Sequence, residues 1–300
     1  MTRTSTRSRR LLAGTSGLAA AILTTTLMAA PAHAVPGITD VTDDTLSFNF
    51  GPATSKTETA TCPAGTRVIG GGGGILGGQV GDGLVVTQMQ AVRPFLGQED
   101  FYQVTVNDPT GTVDDWGVRA TAICAPALSN MSIAYGYTVS SSTASQLATA
   151  TCPTGRKVVG SGGTVYNAYG HAGLQVVRAS TDGARVYAQA HEEAGGYTGD
   201  WSVWAWAVCA TAPAGYEIVM VESQQSDSER TKNAWAECPG DKTVLGGGAA
   251  TSFSAPGEVA LQYVDVHGGP TSGTVNVLAA ENDTTSTDWD FIVAQAICAT

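Results

Sequence analysis

Three kinds of residue in this chain have the chemical capacity for a site: cysteines, histidines and clustered carboxylates. The six cysteines are Cys62, Cys124, Cys152, Cys209, Cys238 and Cys298, with no C-x-x-C spacing among them. That spacing argues against a zinc site and for oxidation in pairs. Acidic residues gather just before three tryptophans: Asp108, Asp114 and Asp115 before Trp116, Glu192, Glu193 and Asp200 before Trp201, and Glu281, Asp283 and Asp288 before Trp289. Hard cations such as calcium favour oxygen ligands of this sort, although no calcium-loop spacing is present. Beyond residue 34 the histidines are His171, His191 and His267, and His191-Glu192-Glu193-Ala194-Gly195 is not H-E-x-x-H. There is no G-x-S-x-G elbow and no G-x-x-x-x-G-K-[ST] loop, so nucleophilic and phosphate-cradling chemistry lose their usual signatures. Scattered carboxylates leave a secreted hydrolase as a third-ranked reading, because the two acids of a glycosidase obey no sequence spacing.

A different chemistry is suggested by aromatics. Six of the nine tyrosines lie between Tyr135 and Tyr197, and Trp204 and Trp206 stand where the first repeat has Arg119 and Thr121. Alternation along a strand points both tryptophans away from Cys209. On the preceding strand Arg185, Tyr187, Gln189 and His191 alternate with Val186, Ala188 and Ala190. If the two strands pair, the six outward residues form one mixed aromatic and polar surface, suited to burial against another copy or, exposed, to sugar stacking or a protein contact. Trp116, Trp201 and Trp289 recur with the cysteines, and their expected role is structural, packed on a disulfide.

The elements that hold these residues repeat. Ala60-Thr61-Cys62-Pro63-Ala64-Gly65, Ala150-Thr151-Cys152-Pro153-Thr154-Gly155 and Ala236-Glu237-Cys238-Pro239 open three segments, each followed by a glycine run. Each segment closes on an Asp-Trp pair and a Cys-Ala pair. The chain resembles the C-P-x-G-x-x-V-x-G-G-G repeat proteins found among bacterial secreted and phage-tail-associated sequences. That resemblance implies architecture and export, with no settled activity attached. The second copy departs from it at Ser161 and the third in the shorter turn Pro239-Gly240-Asp241-Lys242. Repetition favours the pairings 62–124, 152–209 and 238–298, and a staggered set (124–152, 209–238, 62–298) also respects it.

Short runs of Val, Ile, Thr and aromatics broken by Gly, Pro, Asn and Asp read as strands, about six per copy, with no helix. The expected fold is all-β: three tandem disulfide-closed antiparallel units, drawn as small sandwiches, set either in a row or as a β-prism around a pseudo-threefold axis. Boundaries fall at 1–34 for a signal peptide, 35–44 for an N-terminal arm, and 45–127, 128–214 and 215–300 for the copies. Copy three has one residue more between Trp289 and Cys298 than its siblings, which a β-bulge would absorb.

Residues 1–34 carry a basic start, an apolar stretch and Ala32-His33-Ala34, the layout of a secretory signal. Ser8-Arg9-Arg10-Leu11-Leu12 also resembles a twin-arginine motif, while three disulfides formed after export favour the general route. No sorting tail follows Cys298, so the expected location is extracellular. The net charge is −11, and it becomes −15 without the four arginines of residues 1–34. Such a chain repels nucleic acid, and no further apolar run is long enough to span a bilayer. Cofactors are expected to be absent, calcium being the one alternative. The leading expectation is a secreted, non-catalytic binding or adhesion protein that contacts an extracellular glycan or protein through copy two. A structural or adaptor role using strand edges or the arm is the second.

Overall fold

The computed structural model describes residues 35–44, 54–77, 82–94, 98–111, 113, 115–223, 227–251, 257–268, 273–282 and 288–300. The signal segment and the twin-arginine motif lie outside the described residues. Copy one supplies β1 (Thr39–Asp44), β2 (Ser55–Thr61), β3 (Arg67–Gly77), β4 (Val85–Val92), β5 (Phe101–Asn107) and β6 (Trp116–Ala125). Copy two supplies β7 (Ser132–Tyr137), β8 (Ser145–Thr151), β9 (Lys157–Tyr166), β10 (Ala172–Ala179), β11 (Arg185–Glu192) and β12 (Ser202–Ala210). Copy three supplies β13 (Glu217–Glu222), β14 (Thr231–Glu237), β15 (Thr243–Ala250), β16 (Val259–His267), β17 (Thr274–Glu281) and β18 (Val293–Ala299). The arm thus contains a strand, β1, which pairs with β6 as β7 pairs with β12 and β13 with β18.

No sheet is built from one copy. The first sheet runs β1-β6-β3-β16-β17-β14, the second β7-β12-β9-β4-β5-β2 and the third β13-β18-β15-β10-β11-β8. Every copy gives its first, third and sixth strands to one sheet and its second, fourth and fifth to the next. The copies are therefore interleaved around a pseudo-threefold axis rather than closed as separate sandwiches. The joins are short and antiparallel: Tyr263 and Val264 face Gly74 and Gly73, Gln88 and Met89 face Thr164 and Gly163, and Val176 and Val177 face Ala250 and Ala249.

The glycine runs explain how three sheets reach one axis. A Cβ on Gly70 would lie 2.2 Å from the Leu245 carbonyl oxygen, one on Gly160 2.3 Å from that of Ile69, and one on Gly246 2.6 Å from that of Val159. β3, β15 and β9 therefore touch backbone to backbone in a cycle, an approach that only glycine permits. One residue drops out of each ladder beside the contact: Ile69, Val159 and Leu245, all buried. This bulge is common to the three copies. The extra residue of copy three sits instead in the stretch between Trp289 and the start of β18, outside the ladder. Ser161 is accommodated in copy two because its hydroxyl donates to the Gly247 carbonyl at 2.5 Å.

The disulfides pair within copies: Cys62–Cys124, Cys152–Cys209 and Cys238–Cys298, with Cα separations of 5.6, 5.7 and 5.7 Å. Each joins the residue after the second strand of a copy to its sixth strand, and so links two sheets. Together they tie first to second, second to third and third to first. The small residues flanking them (Ala60, Ala122, Ala150, Ala207, Ala236 and Ala296) are buried, which lets the sheets close tightly there. Among the described residues no helix is long and apolar enough to cross a membrane.

Candidate functional site

The outer face of the second sheet carries the aromatic site. Trp204 on β12 stands between Tyr137 on β7 and Thr164 on β9, and Trp206 stands between Tyr135 and Gly162. Ring centroids are 4.7 Å apart for Tyr137 and Trp204, 5.6 Å for Trp204 and Trp206, and 5.7 Å for Tyr135 and Trp206. Tyr166 meets Trp204 edge-on at 5.5 Å. Tyr135 and Tyr137 are 59% and 61% exposed, and both tryptophans are half-buried. Trp206 Nε1 donates to Thr164 Oγ1 at 3.1 Å, which fixes the indole edge. Gly136, between the two tyrosines, faces inward, where a Cβ would lie 1.9 Å from the Thr149 carbonyl oxygen. That contact presses β7 onto β8 and holds both tyrosines outward.

The other four expected site residues are elsewhere. Arg185, Tyr187, Gln189 and His191 lie on β11, which pairs with β10 and β8 in the third sheet, not with β12. The pairing assumed from sequence fails because β11 and β12, though successive in the chain, enter different sheets. Tyr187 packs on a small apolar cluster of Val176, Ala250 and Val293, with the Arg178 guanidinium 6.0 Å from its ring. The His191 ring lies 3.2 Å from Ser145 Oγ and 3.0 Å from Gln189 Nε2, and burial lowers its pKa. Arg185 is exposed at the strand start.

What the sequence missed is the partner half of the aromatic face. Tyr135 and Tyr137 were visible as an aromatic-glycine-aromatic alternation, but nothing in the order of residues joins that strand to β12. Copy one then extends the same face through β4, β5 and β2. Thr105 Oγ1 donates to Gln88 Oε1 at 2.9 Å, Gln103 Nε2 donates to the same oxygen at 3.2 Å, and Thr164 Oγ1 donates to Gln90 Oε1 at 2.8 Å. Because the Thr105 proton is used, Thr57 is the donor in their 2.9 Å contact.

Trp116, Trp201 and Trp289 are fully buried, but not against disulfides: eight strand residues, about 26 Å, separate Trp116 from Cys124. Their neighbour is the second residue of β2, β8 or β14. Lys56 Nζ donates to the Trp116 carbonyl at 2.5 Å, Gln146 Nε2 to that of Trp201 at 2.7 Å, and Lys232 Nζ to that of Trp289. The two ammonium groups also lie 4.3 and 4.4 Å from their indole ring centroids. Burial lowers the Lys56 pKa, and Asp115 opposes it.

The carboxylates at the ends of the fifth strands serve the same corners. Glu192 accepts from Trp201 Nε1 at 2.8 Å and from the Tyr197 amide at 3.0 Å. Asp108 accepts from the Val113 and Gly111 amides, both at 2.9 Å, and burial is outweighed by these bonds, so its pKa is depressed. Glu281, fully buried, faces Arg230 at 4.0 Å. Glu193 lies 3.9 Å from His171, whose ring stacks on Tyr197 at 5.2 Å, and His267 contacts Asp265 at 3.0 Å. Asp114 and Asp283 lie outside the described residues. Among the described residues no three His, Cys, Asp or Glu side chains converge as a metal ion would require. No protein-family model and no curated protein matches this chain.

Proposed function

We propose that this is an exported, non-catalytic glycan-binding protein whose contact surface is the outer face of the second sheet. One observation carries the reading: five aromatic rings stand side by side on a solvent-facing sheet surface, two of the tyrosines more than half exposed. Rings with an apolar body and a polar edge stack on the C–H faces of sugars while their N–H and O–H groups stay paired. A ring cluster of this kind left facing solvent marks an interaction site more often than it marks packing. Export through residues 1–34 and kinship with the C-P-x-G-x-x-V-x-G-G-G proteins belong to the same proposal.

The test is affinity electrophoresis of the chain from Val35 onward through gels cast with neutral polysaccharides. Retardation by at least one polymer is expected. Trp204→Ala combined with Trp206→Ala should cut the affinity at least about tenfold, or ~1.4 kcal/mol. Tyr187→Ala, on the third sheet, serves as the control and should migrate as the parent does. Equal retardation of parent and double-tryptophan variant, with both folded by thermal melt, would refute the site. Release of sugar fragments would refute the non-catalytic role.

A further inference from the structure

The aromatic cluster occupies only the β7 side of its sheet. The rest of the face continues from copy two into copy one without a step. Thr57, Thr105, Gln88, Thr164, Trp204 and Tyr137 form one row across all six strands, each opposite the next in register. Six strands span about 24 Å at the usual inter-strand spacing. Among the described residues, the outward strand positions of this face carry no Asp, Glu or Arg and a single Lys, Lys157 at the start of β9, whose ammonium donates to the Asp182 carbonyl, in a chain of net charge −11.

The equivalent rows elsewhere are different. The first sheet has Asp44, Arg119, Gly74, Tyr263, Leu278 and Asn233 in those positions, with Arg119 and Asp44 ion-paired at 3.4 Å. The third sheet begins its row with Glu222 and continues through Val293, Ala250 and Val176. One scaffold therefore carries three unlike rows, and of the three only the second has no charged residue.

The hydrogen-bond wiring of that row leaves defined groups to solvent. Gln88 Oε1 is filled by Thr105 and Gln103, which turns the Gln88 amide nitrogen outward. Gln90 Oε1 is filled by Thr164, whose own oxygen accepts from Trp206, so the Gln90 nitrogen is likewise turned outward. Among the described residues neither nitrogen donates to the protein. Held by their neighbours, these amides lose little freedom when a ligand arrives. Amide donors and hydroxyl acceptors satisfy the hydroxyls of uncharged sugars. A polyanion would find no cation along this row and would face the repulsion of the acidic chain.

Resting on the glycan reading above, we infer that the ligand is a neutral, linear polysaccharide lying across the strands. It stacks on Trp204 and Tyr137 of copy two and runs onto the Gln88–Gln90–Thr105 track of copy one. The site is extended, and it exists only where the two copies share a sheet.

The experiment is calorimetric titration with cello-, malto- and xylo-oligosaccharides from disaccharide to octasaccharide. It compares the parent, Gln88→Ala/Gln103→Ala, which leaves the Gln90–Thr164–Trp206 chain intact, and Trp204→Ala/Trp206→Ala. The parent should gain at least about tenfold in affinity with length in the preferred series. The glutamine variant should lose that gain while keeping the parent's disaccharide affinity, and the tryptophan variant should lose both. Parent affinity that is flat with length, or a glutamine variant that matches the parent on octasaccharide, overturns the extended site while leaving an aromatic glycan site standing. Polygalacturonate bound as tightly as the neutral chains overturns the choice of a neutral ligand. Binding of no sugar overturns both this inference and the glycan reading.

Discussion

Lys232 shows how a polar side chain is held in an all-β core. Its side chain is 4% exposed, and its ammonium reaches the carbonyls of Trp289, Asp290 and Asp227 and the Asp227 carboxylate at 3.0 Å. Copy two keeps the geometry without the charge, since Gln146 meets the Trp201 carbonyl from the same position. Replacing Lys232 with Met would take this donor from the buried Trp289 carbonyl, at a cost of about 2 kcal/mol. Lys232→Gln should cost less than half as much, because an amide can still donate to Trp289. Urea unfolding midpoints of the two variants decide the matter: a Met variant as stable as the parent would mean the ammonium is not a structural donor. Two of the acidic positions beside the tryptophans belong to the same corners, Glu192 as the acceptor for the Trp201 indole and Asp108 as the cap of the turn that follows β5.

At the scale of elements, the third strands of the copies decide the fold. β3, β9 and β15 must meet without side chains between them, and their bulges turn Ile69, Val159 and Leu245 into the surrounding core. Gly246→Ala would place a methyl group 2.6 Å from the Val159 carbonyl oxygen and 3.0 Å from the Gly160 Cα, both backbone atoms. Neither can swing aside as a side chain would, so the expected loss is on the order of 3 kcal/mol. Gly65→Ala makes the comparison, since nothing lies within 4 Å of its Cβ position, although its φ of +83° adds local strain. The thermal melt of Gly246→Ala should fall well below that of Gly65→Ala. An equal or smaller drop would deny the axial contact.

For the whole molecule, interleaving makes the three copies one cooperative body. A disulfide is then a tie between sheets, and losing one affects all three copies. Removing the Cys152–Cys209 link by serine substitution opens a loop with a sequence separation of 57 residues, worth about 4 kcal/mol on the loop-closure model. Unfolding should remain a single transition shifted to lower temperature, with hydrogen exchange accelerated in all three sheets. Separate melting of copy two, with copies one and three unchanged, would contradict the shared-sheet architecture. The same interleaving frees the outer faces to differ, since the pseudo-threefold core constrains only inward residues and glycines.

The sequence by itself determined what depends on local pattern and repetition: the strands of the described residues, three like copies, and the burial of Trp116, Trp201 and Trp289. It also favoured the sulfur pairings that form, since two cysteines recur in each copy at matching places. Trp204 and Trp206 were legible as outward because a strand alternates its side chains at every second residue. Only the tertiary structure decided which strands lie beside one another. Neighbours along the chain, such as β11 and β12, enter different sheets, so Arg185, Tyr187, Gln189 and His191 are separated from the tryptophans. Gln88 and Tyr137, from different copies, share a row instead. Backbone hydrogen bonds between strands carry no residue code of their own, so a sheet that joins two copies leaves almost no trace in the order of residues. The one trace is the glycine run, where three backbones had to touch.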